Sequence, residues 1–316
     1  MPRLTVLICT HDRVGLLEKT LASLDAVRRP PGWSVDVLVA ANACSDGTHA
    51  YLETRSRGAS GADALPLAWF AEPRPGKSNA LNSALPRIES DLIAFVDDDH
   101  RVDSAYFCAI VDAAGRHPEF ELFCGRIVPD WDGHEPAWVH DQGPYRIYPL
   151  PVPRFDLGEE GLEVTPGLAI PGGGNLFLRG HLARKVGEFS TDLGPTGHDL
   201  GGAEDLDWVL RAQRLGVRVR YVPEMIQYHY VDTTRFNTYY LMTKAYKRTA
   251  SRIGLNTPSP GHGVPRYLYR KVAQYLMSAL VSIGQARRRF YLVRTAAALG
   301  ELSGHLHLRR LARGAK

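Results

Sequence analysis

Hydrophobic and polar positions alternate in blocks over the first hundred residues. Residues 4–9 form an apolar run of strand length, Thr10-His11-Asp12-Arg13 is a polar turn, and Leu16, Leu17, Leu21 and Leu24 then recur at helical spacing. Residues 35–41 predict a second strand, and Asn42-Ala43-Cys44-Ser45-Asp46-Gly47-Thr48 reads as a turn and a helix start. A third strand is predicted over residues 67–71, and Gly76-Lys77-Ser78-Asn79 opens a helix over 80–85. The fourth strand ends in three consecutive carboxylates, Asp97, Asp98 and Asp99, followed by His100. Strand and helix alternating across short loops predict a parallel, doubly wound sheet, which binds ligands beyond the carboxyl ends of its strands. Asp12, Asn42, Lys77 and the triplet are therefore expected in one crevice.

Three acidic side chains at a strand end repel one another. A divalent cation with a preference for oxygen removes that repulsion; a triplet that caps a helix starting near Ser104, or stays in water, is the plain alternative. The turn after the first strand has no G-x-G-x-x-G. Gly76-Lys77-Ser78 has the last letters of a phosphate-binding P-loop without its earlier glycine. Hydride transfer and P-loop chemistry are thus poorly supported, and a metal-bound nucleotide diphosphate remains.

Composition adds a division of charge. The chain of 316 residues suits one large α/β domain with an appendage or two modest domains, and 44% hydrophobic with 23% charged residues excludes disorder. The formal charge of +4 conceals a body and a tail of opposite sign: from Thr233 onward there are 16 Lys and Arg against the single acid Glu301, and the first 232 residues carry 22 basic and 33 acidic groups. A basic tail fits an anionic surface. Cys9, Cys44, Cys108 and Cys124 lack metal-binding or thiol-exchange spacing, so reduced cysteines in a cytoplasmic protein are expected. The amino terminus runs directly into a predicted strand, so no signal peptide is expected, and no apolar run reaches the roughly eighteen residues of a membrane span. Residues 272–283, interrupted by Gln274 and Ser278, read as a surface-lying helix. In the tail, Tyr239, Tyr240, Met242, Ala245 and Tyr246 form a stripe, residues 258–265 break the chain, and helices follow over 267–283 and 287–311. These helices either pack on the body or lie on the cytoplasmic membrane face; nucleic acid is disfavoured because the aromatic residues sit at helical spacing.

Six motifs, in order over roughly residues 4–230, resemble those of the family 2 glycosyltransferases, inverting enzymes of the GT-A fold. They are Val6-Leu7-Ile8-Cys9-Thr10-His11-Asp12-Arg13, Asn42 through Thr48, Gly76-Lys77-Ser78-Asn79-Ala80-Leu81-Asn82, Asp97-Asp98-Asp99 as D-x-D, Pro171-Gly172-Gly173-Gly174-Asn175-Leu176-Phe177-Leu178-Arg179, and Gly202-Ala203-Glu204-Asp205-Leu206-Asp207-Trp208. The resemblance implies a mainly parallel sheet with a Rossmann-like nucleotide-binding half (residues 1–100), an acceptor half (101–232) and a basic helical extension (233–316). It implies a sugar transferase with a nucleotide-diphosphate donor, UDP by default, and a glycan or lipid-linked acceptor in bacterial cell-surface or exopolysaccharide synthesis. A nucleotidyltransferase on a similar sheet and a non-catalytic nucleotide-sugar-binding scaffold are the alternatives.

By the same resemblance, Asp99 coordinates Mn²⁺ or Mg²⁺, Asp97 contacts the ribose or the metal, and His229 holds the metal or the diphosphate. Thr10, Asp12, Arg13, Asn42, Asp46, Asn82 and Asp98 line the donor site. Lys77 either contacts the diphosphate or is a solvated residue of a helix's first turn. Asp205, beside Glu204 at a helix start, is the base. Gly173, Gly174, Asn175 and Arg179 face the acceptor, together with Trp131 and Trp138 of a loop over residues 130–166 that selects the acceptor or covers it. Two departures stand out. Ala41 replaces a frequent acid, leaving base or ribose recognition to Asn42 and Asp12, and His100 occupies a usually less polar position.

Overall fold

The computed structural model describes residues 1–58, 63–165, 168, 173–192, 204–256 and 264–314. They fall into two compact units, Met1–Asp130 with Pro153–Tyr230, and Trp131–Val152 with Val231–Lys316.

The first unit begins with the predicted alternation: β1 (Arg3–Thr10), α1 (Val14–Asp25), β2 (Ser34–Asn42), α2 (Thr48–Ser56), β3 (Leu67–Glu72), α3 (Lys77–Ala84) and β4 (Leu92–Phe95). It continues through β5 (His100–Val102), α4 (Tyr106–Arg116), β6 (Leu122–Asp130), β7 (Leu162–Glu163), β8 (Leu176–Arg179), α5 (Leu182–Val186), α6 (Glu204–Arg214) and β9 (Val219–Tyr230). Among the described residues these strands make one sheet in the order β3-β2-β1-β4-β8-β6-β9-β5, with β7 also on β9. The long ladders, β1 with β2, β2 with β3 and β6 with β9, are parallel. The expected α/β sheet of GT-A type, mainly parallel, is the one observed.

Strand β8 runs antiparallel to both β4 and β6. Strands β6 and β9 therefore point the same way as β1 to β4, and all their carboxyl ends reach one edge. The short β5, which the sequence reading did not separate from the triplet, turns back and pairs antiparallel with β9, setting His100 opposite His229. Alternation along β1 divides the core: Leu4, Val6 and Ile8 pack with Leu17, Leu21 and Leu24 of α1 and with Tyr106, Phe107 and Ile110 of α4, and Leu7 packs with Leu81 of α3 and Trp208 of α6. Each such buried aliphatic side chain stabilises the fold by about 1.5–3 kcal/mol.

The second unit contains α7 (Thr238–Asn256), α8 (Tyr267–Leu280) and α9 (Gln285–Gly314). Helices α7 and α9 meet at Gly300, where a Cβ would lie 2.2 Å from the Tyr246 carbonyl oxygen, so any side chain there would part them. The Lys271 ammonium bonds the Glu301 carboxylate at 2.6 Å, joining α8 to α9. Residues 131–152, placed by sequence in the acceptor half, cluster here. Trp131 and Trp138 pack around Phe236 with Val139 and Val231, Arg289 lies 3.9 Å over the Trp138 ring, and Tyr145 packs on Phe290 and Tyr291. Burying these large rings against one another ties the segment to the helices that follow β9. No described helix is long and apolar enough to cross a membrane.

Candidate active site

The site grows from the carboxyl ends of β1, β2, β4 and β9. Leaving β1, Thr10 donates its hydroxyl to Asp98 at 2.7 Å, and Arg13 reaches both Asp98 (3.2 Å) and Asp99 (3.0 Å). At the start of α3, the Lys77 ammonium lies 2.8 Å from Asp97 and 3.7 Å from Asp205 on the first turn of α6. Five carboxyl groups, Asp97, Asp98, Asp99, Glu204 and Asp205, thus face two cations. The excess negative charge shows in the proton affinities. Burial, with the neighbouring Asp99 second, raises the Asp98 pKa to about 6. Burial, with Asp205 second, raises Glu204 to about 7. Burial disfavours the Lys77 charge too, yet Asp205 and Asp97 outweigh it and hold that pKa well above the ordinary value.

Two histidines complete the arrangement. One ligand atom each from Asp99, His100 and His229 lies within 4.8 Å of the others. Both imidazole Nε2 atoms are 3.7 Å from the Asp99 carboxylate. Their tautomers follow from their other nitrogens. His229 Nδ1 is 2.6 Å from the Tyr230 carbonyl, which can only accept, so Nδ1 carries the proton. His100 Nδ1 bonds Gln227 Oε1, whose own amide nitrogen donates to the Phe95 carbonyl (3.0 Å) and the Tyr106 hydroxyl (2.7 Å). The Gln227 oxygen must then accept, and His100 too is protonated at Nδ1. In both rings it is Nε2 that faces the Asp99 carboxylate. Imidazoles oriented by a hydrogen bond at the opposite nitrogen, beside a carboxylate, are a donor set that fits a divalent transition ion. Burial, opposed by Asp99, lowers the His229 pKa and favours the neutral ring.

The backbone of Gly173 and Gly174 closes this cluster. Gly173 N–H donates to Asp205 at 2.9 Å, and a Cβ at Gly173 would lie 2.1 Å from that carboxylate. A Cβ at Gly174 would come within 2.6 Å of Asp97 and 2.9 Å of the His100 ring. Only residues without side chains fit, so the pair fixes the position of two acids.

Other expected site residues take structural partners. Asn82 exchanges two hydrogen bonds with the Phe189 backbone, Asn175 is buried between Arg126, Met225 and Tyr106, and Arg179 donates to the carbonyls of Phe120, Ala114 and His117 at the end of α4. Each of the three is hydrogen-bonded to protein groups in this structure, which gives it a structural role beside the donor or acceptor contact expected from sequence. Asn42 holds the loop before α3 through Arg74 and Gly76. Asp12, at φ 50°, accepts from Ser45 and Asp46, and Asp46 accepts from Val14 and Thr48. These three shape the crevice wall by fixing loops. Trp131 and Trp138 belong to the second unit's core. Pro171, Gly172, Gly201, Gly202 and Ala203 lie outside the described residues. His100 and Gln227 were missed as site residues. Tracing Gln227 from sequence would have needed the β5–β9 register.

Sheet, crevice and acid cluster together define a glycosyltransferase of GT-A fold. The profile of the glycosyltransferase-like family 2 matches residues 2–251, and the chain belongs to that family. Among solved structures, S. aureus TarS 1-349 in complex with UDP is similar at 16% identity and a TM-score of 0.56, over 100% of this chain and 92% of that one. The mannosyltransferase PcManGT from Pyrobaculum calidifontis, in complex with GDP-Man and Mn²⁺, gives 16% and 0.53 over 100% and 76%. GalNAc-T7 with UDP, GalNAc and Mn²⁺ gives 13% and 0.55 over 82% and 52%. No curated protein matches the sequence.

Proposed function

We propose that this protein moves a sugar, with inversion, from a nucleotide-diphosphate sugar to a hydroxyl of a glycan or lipid-linked acceptor in bacterial cell-surface or exopolysaccharide synthesis, at the cytoplasmic face of the membrane. The carrying observation is the pair of imidazole Nε2 atoms set beside Asp99 within the acid cluster. Asp99, His100 and His229 would hold Mn²⁺ or Mg²⁺, with the imidazoles favouring Mn²⁺. Bound there, the ion would supply Lewis acidity toward the departing diphosphate. The relatives crystallised with UDP or with GDP-Man and Mn²⁺ support this donor class, and UDP is the default.

The chain's own groups account for the remaining work. Asp205 is the base that takes the acceptor hydroxyl proton; the Gly173 N–H and the Lys77 ammonium hold its carboxylate in place. Arg13 and Lys77 supply positive charge for the phosphates, and Asp97 is held between Lys77 and the Gly174 backbone. Calorimetric titration of UDP and GDP, each with and without Mn²⁺, into wild type and Asp99→Ala tests the reading. Cation-dependent binding of one nucleotide, lost in the variant, is expected; equal binding by both proteins would remove the triplet from the donor site. Asp205→Asn should abolish transfer while nucleotide binding persists.

A further inference from the structure

The second unit has a surface that its fold leaves unexplained. Helix α8 turns Leu268 and Ala279 inward. Its outward stripe, at i, i+4, i+7, i+8 and i+11, is Tyr269, Ala273, Leu276, Met277 and Leu280. A helix packed on one side normally turns charged residues to water on the other; here the outward side is apolar. Exposure is 44% at Leu276, 57% at Met277 and 68% at Leu280, and it continues into the turn before α9 with Val281 at 67% and Ile283 at 94%. Exposed Arg266, Arg270, Arg287, Arg288 and Arg294 flank this ridge, and residues 264–294 contain no acid. The tail's one carboxylate, Glu301, is occupied by Lys271 and Tyr267.

We propose that the outward face of α8 and the turn joining it to α9 dock into the interfacial layer of an anionic lipid bilayer. Leu276, Met277, Leu280, Val281 and Ile283 enter the acyl boundary, and the flanking arginines meet the headgroup phosphates. A lipid surface satisfies both halves of this pattern at once. A second copy of the chain would cover the apolar ridge but bring the same uncompensated arginines against one another. Crossing is excluded for the described helices, so the attachment lies in the plane of the surface. The inference rests on the peripheral location proposed above, and not on the sugar-transfer chemistry.

Co-sedimentation of the full chain with vesicles of neutral phosphatidylcholine, and of phosphatidylcholine containing phosphatidylglycerol, tests it without any donor or acceptor. Binding to the anionic vesicles is expected to exceed binding to neutral ones at least tenfold, to fall with added salt, and to drop at least tenfold both in Leu280→Asp/Ile283→Asp and in Arg287→Ala/Arg288→Ala. These side chains are exposed, and unchanged circular dichroism and nucleotide binding would establish that each variant is folded. No pelleting with either vesicle, equal pelleting with both, or full binding by either folded variant overturns the proposal. So does a wild-type dimer in light scattering that Leu280→Asp/Ile283→Asp abolishes without changing vesicle binding.

Discussion

Asp99 lies between two imidazoles whose protons are held on the far nitrogen, one by the Tyr230 carbonyl and one by Gln227. The Gln227 amide can accept from His100 only while its nitrogen donates to Phe95 and Tyr106, so a buried glutamine fixes a ring it shares no local sequence with. Gln227→Leu is expected to lower Mn²⁺ affinity by about 10–100-fold with the fold retained by circular dichroism, as measured by calorimetry; unchanged affinity would remove His100 from the ligand set. Gly173 carries a different constraint, because the position a methyl group would take is occupied by the Asp205 carboxylate. In Gly173→Ala, kcat should fall on the order of 10²-fold with UDP affinity within a few fold, since displacing a reacting group by about 1 Å has that effect. Glu204 gives a pH signature. Its folded pKa of about 7 lies above its ordinary 4.5, so the folded state holds the proton more tightly. The associated stability is complete below pH 4.5 and is lost as pH rises through 7, at most about 3 kcal/mol. The Tm of metal-free wild type should fall across that window more steeply than that of Glu204→Gln; parallel curves would contradict the assignment.

At the scale of elements, the short ones decide most. Three residues of β5 reverse direction after the triplet and, through the register His100 to His229, set two imidazoles side by side at the strand end. Four residues of β8 invert twice across the sheet and so return β6 and β9 to the direction of β1. Arg179, at the end of β8, bonds the Ala114 carbonyl in the last turn of α4, the His117 carbonyl just after it and the Phe120 carbonyl in the following loop, and so helps close the carboxyl-terminal end of α4. Arg179→Met should therefore destabilise the protein by about 2–3 kcal/mol in denaturant unfolding and leave the acceptor KM unchanged. A raised acceptor KM at full stability would restore the acceptor role expected from sequence.

Over the whole molecule, charge is segregated: the first 232 residues are net acidic and the remainder strongly basic. Within the acidic part, the five crevice carboxyls against Arg13 and Lys77 leave a deficit of positive charge that a divalent ion would offset. Mn²⁺ at a hundred times its Kd should stabilise the protein by about 2.7 kcal/mol, and EDTA should reverse the gain. A Tm indifferent to both would count against a cation in the crevice.

The strands and helices of the first hundred residues, their order and the edge they share were legible because hydrophobic periodicity is local: β1 through β4 need only their own alternation to be recognised. The polar character of the crevice was legible for the same reason, since turns after parallel strands converge wherever the sheet is parallel. Which polar residues remain available was not legible. Asn82, Asn175 and Arg179 look like site residues in the chain and are bonded to backbone groups 49–107 positions away in sequence. His100 looks out of place in the sequence and is held toward Asp99 by a glutamine 127 positions away. Residues 131–152 follow β6 in the chain but bury their tryptophans with Phe236, because large rings are stabilised by the partners that exclude water from them, wherever those lie in sequence. Pattern determined the elements; only packing and register decided which polar atoms were left to do chemistry.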